Sequence, residues 1–110
     1  MKLNDAVSAL AALSQPARLK IFRLLVRQGE EGVCAGDLAK KFSLPKPTLS
    51  FHLKELSNAG LIGSRRDGRS IIYFLRPNGI RQVMRFLTED CCQGRPELCM
   101  PEICAEETCA

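Results

Sequence analysis

Nowhere in this chain do about 18 apolar residues run together, the minimum for a membrane-spanning helix, so a bilayer span is not expected. There is one histidine, His52, and no Cys-x-x-Cys pair. No cysteine opens a phosphate-cradling loop either, which argues against a thiol oxidoreductase or an arsenate reductase. Internal repeats and low-complexity tracts are lacking. The N-terminal MKLNDAVSALAALSQPARLK carries Asn4, Asp5, Ser8 and Ser14 within its apolar patch and offers no small-residue cleavage site, so it reads as a helix rather than an export signal. A soluble, cytoplasmic protein without a membrane partner is expected.

What is present is unevenly placed. Five of the six cysteines and six acids against the single Arg95 lie in residues 89–110, a net charge of −5, so the formal +4 of the chain conceals +9 on residues 1–88. A body that basic suits a polyanion, because each Lys or Arg that neutralises a phosphate releases counterions. Cytosolic thiols stay reduced, so the clustered cysteines suggest soft-ion binding or redox sensing before structural disulfides. At 110 residues the chain has room for one modest core, and dimerisation is expected to supplement it.

Apolar spacing and breakers predict five helices. The first covers residues 4–13. Ser14 is read as the cap of a second, with Pro16 in its first turn, Leu19, Ile21, Leu24 and Leu25 on its apolar face and Gly29 as its stop. A short third helix over 34–42 is separated by Ser43-Leu44-Pro45 from a fourth over 46–59, closed by Gly60. Two short helices about a tight turn form a helix-turn-helix. LIGSRRDGRSIIYFL then places β-formers on both sides of Asp-Gly and predicts a hairpin wing. Beyond Arg76, the Pro77-Asn78-Gly79 punctuation precedes a fifth helix through Ile80, Val83, Met84 and Leu87 to about Asp90. The expected fold is mainly α with a small β-hairpin, a winged helix-turn-helix domain over 1–90, followed by a cysteine-rich acidic tail over 91–110.

On a helical wheel Leu49, Leu53 and Leu56 of the fourth helix form one buried stripe, opposed by Pro47, Ser50, Phe51, Lys54 and Asn58, with Lys46 and Thr48 on the flanks. The start of such a helix touches base edges in the major groove. Thr48 and Ser50 can donate or accept, Phe51 can pack on a thymine methyl, and Lys46 and Lys54 can reach guanine or phosphate. His52 borders the leucine stripe and reads as a packing or phosphate-contact residue rather than a metal ligand. Arg65, Arg66 and Arg69 surround the hairpin turn, where three guanidinium groups would meet phosphates or a narrow minor groove.

Through ALSQPARLKIFRLL, DLAKKFSLPKPTLSFHLKELSNAGLI and RRDGRSIIYFL, nearly all of residues 5–90, the chain resembles the ArsR/SmtB family of metal-sensing repressors. The resemblance implies a winged-helix homodimer joined through its first and fifth helices that binds operator DNA as a repressor of a resistance or efflux operon and leaves it when an ion binds. Arsenic-sensing members of that family carry two cysteines just before Asp-Leu at the third helix, and here VCAGDL has Cys34 in the first place and Gly36 in the second. Zinc-sensing members use His and carboxylates on the fifth helix, which here lacks His. A further subgroup places vicinal cysteines after the fifth helix and a third a few residues on, an arrangement that Cys91, Cys92 and Cys99 fit. The implied inducer is As(III), with Sb(III) or a methylated arsenical as variants. Zinc, cadmium, lead and thiol oxidation stay open as alternatives, and Cys104 and Cys109 match no motif. Neighbouring residues on a helix diverge by about 100°, so the fifth helix has to end near Glu89 or Asp90 if Cys91 and Cys92 are to share one ion.

Overall fold

Helix α1 (Leu3–Leu13) turns its small side chains inward, Ala6, Ala9 and Ala12, and leaves Leu3, Val7 and Leu10 exposed at helical spacing. In the computed structural model, which describes residues 1–89, Ser14 closes this helix rather than opening the next. Both its N–H (3.2 Å) and its hydroxyl (2.7 Å) donate to the Ala11 carbonyl. The cap of α2 (Pro16–Gln28) is Gln15, whose Oε1 accepts the Arg18 N–H at 3.0 Å, with Pro16 supplying a helical φ at the first position.

The buried face of α2 is Ile21, Phe22 and Leu25. Leu19, expected there, is 43% exposed beside an exposed Val26, because the apolar arc of this helix is wider than the core that covers it. A single 3-10 turn (Gly29–Glu31) leads into β1 (Val33–Cys34), α3 (Ala35–Phe42) and α4 (Lys46–Asn58). Ser43 between the two helices adopts a left-handed conformation, φ 52°, which turns the chain while the Leu44 N–H reaches back to the Ala39 carbonyl at 3.1 Å.

The wing consists of β2 (Ile62–Asp67) and β3 (Ser70–Leu75), antiparallel with Ile62 opposite Leu75 and Asp67 opposite Ser70. Asp67 therefore ends the strand and the loop is Gly68-Arg69, with Gly68 at φ +63°, the glycine-first pattern of a type II′ turn. The expected hairpin is present, and it gains a third strand. β1 pairs on the other side of β3, Val33 opposite Tyr73 and Cys34 opposite Ile72, in the order β1-β3-β2. Helix α5 (Pro77–Thr88) begins at the punctuation expected to precede it, because Pro77 fits a first helical position, where no N–H is needed.

The core gathers Ala9, Ala12, Ile21, Phe22, Leu25, Leu38, Leu49, Leu53, Leu56, Leu61, Ile62 and Val83. All five helices and the wing root contribute, so the fourth helix is seated from every side except its outer face. At the foot of the wing the Arg76 N–H donates to the Leu61 carbonyl at 3.0 Å, and Gly79 lies directly against the Gly60 carbonyl, leaving no room for a Cβ. Outside the core, Met84 and Leu87 of α5 are exposed, as are Leu3, Val7 and Leu10 of α1, the helix that packs beside it.

Candidate nucleic-acid interface

Leu49, His52, Leu53 and Leu56 bury one side of α4, and that anchoring fixes what its other side presents. Lys46, Thr48, Ser50, Phe51 and Lys54 are all exposed, together with Pro47 and Asn58. The α3-α4 pair thus offers a largely polar and basic face at the start of its second helix, interrupted by Pro47 and by one aromatic ring, Phe51, 53% exposed at its middle. Lysine and hydroxyl side chains at that end of a helix are what contact base edges and phosphates when it lies in a major groove.

His52 is no surface group. It is 7% exposed, and its Nδ1 accepts a hydrogen bond from Arg18 Nε at 3.1 Å, which requires Nδ1 to carry no proton. Burial, and then the positive charge of Arg18, hold its pKa below the usual 6.5, so the ring is neutral at physiological pH. Its burial and its bond to Arg18 give it a packing role between α2 and α4. Arg18 itself was missed in the sequence: it lies 34 residues from its partner, and nothing in its own helix marks it. Its guanidinium also sits 5.2 Å from the centroid of the Phe51 ring.

The three wing arginines do not act as one cluster. Arg66 and Arg69 are exposed near the turn, but Arg65 folds back to the root, where Nη1 donates to the Glu30 carbonyl (3.2 Å) and Nη2 to the Glu31 carbonyl (2.8 Å). Its guanidinium lies 5.4 Å from the Phe74 ring, which Arg76 approaches from 5.9 Å. The expectation of three guanidinium groups at the tip is thus corrected to two, because the last carbonyls of the 3-10 turn offer Arg65 a charge-assisted pair of bonds.

Cys91, Cys92 and Cys99 lie outside the described residues, as do Cys104 and Cys109. Among the described residues no group of three or more His, Cys, Asp or Glu could hold a metal ion, and no helix is long and apolar enough to cross a membrane. Cys34 is half-buried at the end of β1. Helix α5 stops at Thr88, and Glu89 leaves the helical region at φ −55°, ψ 126°.

A helix-turn-helix flanked by a two-stranded wing, with a basic outer face, defines a winged-helix DNA-binding protein. The family model described as a helix-turn-helix domain matches residues 13–65. The arsenical resistance operon repressor of Staphylococcus xylosus is 39% identical over 75 residues, 68% of this chain and 69% of that protein. The cadmium resistance transcriptional regulatory protein CadC of Listeria innocua is 33% identical over 95 residues, 76% of this chain and 78% of that one. Among solved structures, the ArsR-like transcriptional regulator from Rhodococcus sp. RHA1 superposes with a TM-score of 0.71 at 26% identity, covering 86% of this chain and 87% of its own. The chain belongs to the ArsR/SmtB family of winged-helix transcriptional regulators, and its relatives are regulators rather than enzymes.

Proposed function

We propose that this protein is a homodimeric repressor that holds operator DNA through α4 and the wing and releases it when As(III) is captured by Cys91, Cys92 and Cys99. The observation that carries the DNA half is the exposed arc of Lys46, Thr48, Ser50, Phe51 and Lys54 on a helix whose other face is locked in the core. Leu3, Val7 and Leu10 beside Met84 and Leu87 supply an apolar surface on α1 and α5 that a second copy would cover. Two copies joined there would present their reading helices about 34–36 Å apart, one turn of duplex, to a palindromic site.

The ion half rests on chemistry and on where α5 stops. Helix α5 ends at Thr88, three residues before Cys91 and close to where the sequence expects it to end if Cys91 and Cys92 are to share one ion. Trivalent arsenic binds three sulfurs, and soft thiolates select soft ions. Three thiols condense with neutral arsenous acid and release three waters without a change of charge, so Glu89, Asp90 and Glu97 impose no penalty. A divalent ion would instead be favoured by those acids, and the similarity to a cadmium resistance regulator supports that variant.

The test is fluorescence anisotropy on a duplex selected from random DNA by the reduced protein. Arsenite is expected to weaken binding roughly 5- to 150-fold, the range of allosteric couplings of about 1–3 kcal/mol. The triple Cys→Ser variant is expected to bind DNA normally and ignore arsenite. Release that survives those replacements refutes the site, and release by cadmium but not arsenite reassigns the ion.

Within the wing, Arg66 and Arg69 are read as phosphate contacts and Arg65 as the strut that aims them. Arg66→Gln and Arg69→Gln should each reduce the slope of log affinity against log salt by about one. Arg65→Met should weaken binding while leaving the slope intact. A lowered slope for Arg65→Met would return that side chain to the DNA surface.

A further inference from the structure

The contact between Arg18 and the reading helix joins two elements that the helix-turn-helix does not itself connect. Pro16 and the Gln15 cap fix the backbone at the start of α2, and the Arg18 N–H is part of that cap. From this base the side chain reaches α4, where Nε is bonded to the buried Nδ1 of His52 and the guanidinium faces the exposed ring of Phe51. One arginine therefore grips an inward residue and its outward neighbour together.

We propose that Arg18 and His52 are positioning residues for sequence discrimination: they set the seating of α4 against α2 and hold the Phe51 ring for the groove, without themselves needing to touch DNA. Three features support this. The bond is directional, with a ring nitrogen that can only accept while it is unprotonated, so it fixes the rotation of α4 more narrowly than leucine packing does. The planar guanidinium can stack on an aromatic face while donating at its edge, which an ammonium cannot do. An exposed phenylalanine has rotamer freedom to lose on binding, and a neighbour that orders it beforehand removes that cost from the complex.

The inference rests on α4 being the helix that reads DNA, and the experiment separates the two. Arg18→Met, His52→Leu, His52→Asn and Ser50→Ala are compared with the unmodified full chain on the selected duplex and on a scrambled duplex, with a salt titration for each and a melting curve to establish folding. Arg18→Met and His52→Leu should lower the selected-to-scrambled affinity ratio about tenfold, comparable to losing one base-pair contact. Their salt slopes should be unchanged, since no phosphate contact is lost. His52→Asn, whose Oδ1 can take the place of the accepting nitrogen, should restore the ratio. If Arg18→Met instead lowers the slope by about one with the ratio intact, Arg18 is a phosphate contact and the proposal is overturned. It is overturned equally if His52→Leu keeps its discrimination while Ser50→Ala loses it. If Arg18→Met, His52→Leu and Ser50→Ala all discriminate as well as the unmodified chain, the proposal is overturned and base reading by α4 loses its support with it.

Discussion

Leu56→Ala is expected to destabilise the folded domain by about 2–5 kcal/mol, the range for emptying a fully buried leucine site. Leu56 is 0% exposed and belongs to a core made of side chains from every helix and from the root of the wing. Its neighbours on α4, Leu49 and Leu53, are anchored by the same core, so the surrounding backbone has little freedom to collapse into the space. For a domain of this size each kcal/mol moves the melting midpoint by roughly 4–8 °C, so a drop on the order of 10 °C or more is expected. Circular dichroism melts at one fixed protein concentration measure it, because a dimer's midpoint depends on concentration. A shift of only a degree or two would show that the stripe is not the keystone it is taken to be.

The second large effect is expected at Gly32, where alanine should cost about 2–4 kcal/mol through backbone strain and overpacking together. Gly32 adopts φ +71°, ψ −172°, a region almost confined to glycine. A Cβ there would run into the Tyr73 carbonyl oxygen and come within 2.8 Å of Ile72 Cγ2. The substitution therefore pushes β1 off β3 at the step where Val33 pairs with Tyr73. It also disturbs the 3-10 turn whose carbonyls hold Arg65, so the loss should extend to the wing. Hydrogen exchange should show faster opening of β3 amides in Gly32→Ala than in the parent chain. Protection that is unchanged across the wing would mean that β1 is not what steadies it.

Much of this was legible from spacing alone. The leucines of α4 repeat at helical intervals, Gly29 and Gly60 stand where helices end, and Asp-Gly among β-formers marks a hairpin, so the order of helices and wing follows from local rules. What escaped depends on contacts that local rules do not contain. Ser14 and Gln15 are both able to cap, and the structure chooses Gln15 because Ser14 already satisfies the end of α1. β1 has two residues, too few for any alternation to register, and exists because β3 lies beside it. Leu19 and Phe22 are both apolar, and only the position of the neighbouring helices decides that Phe22 goes inside. The exposed residues of α4 were placed by its periodicity, whereas Arg65 and Arg18 find partners 34 or 35 residues away and were out of reach.

The meeting of Gly60 and Gly79 has a mechanical corollary. One closes α4, the other sits in the opening turn of α5, the helix that leads towards the sulfur-rich terminus, and main chain rests on main chain between them. Side chains can rotate to absorb a displacement, but peptide groups packed this closely have no rotamers to change, so a shift of one is passed to the other. On the proposed function, a tilt of α5 would reach α4 first at its C-terminal end, through this glycine contact.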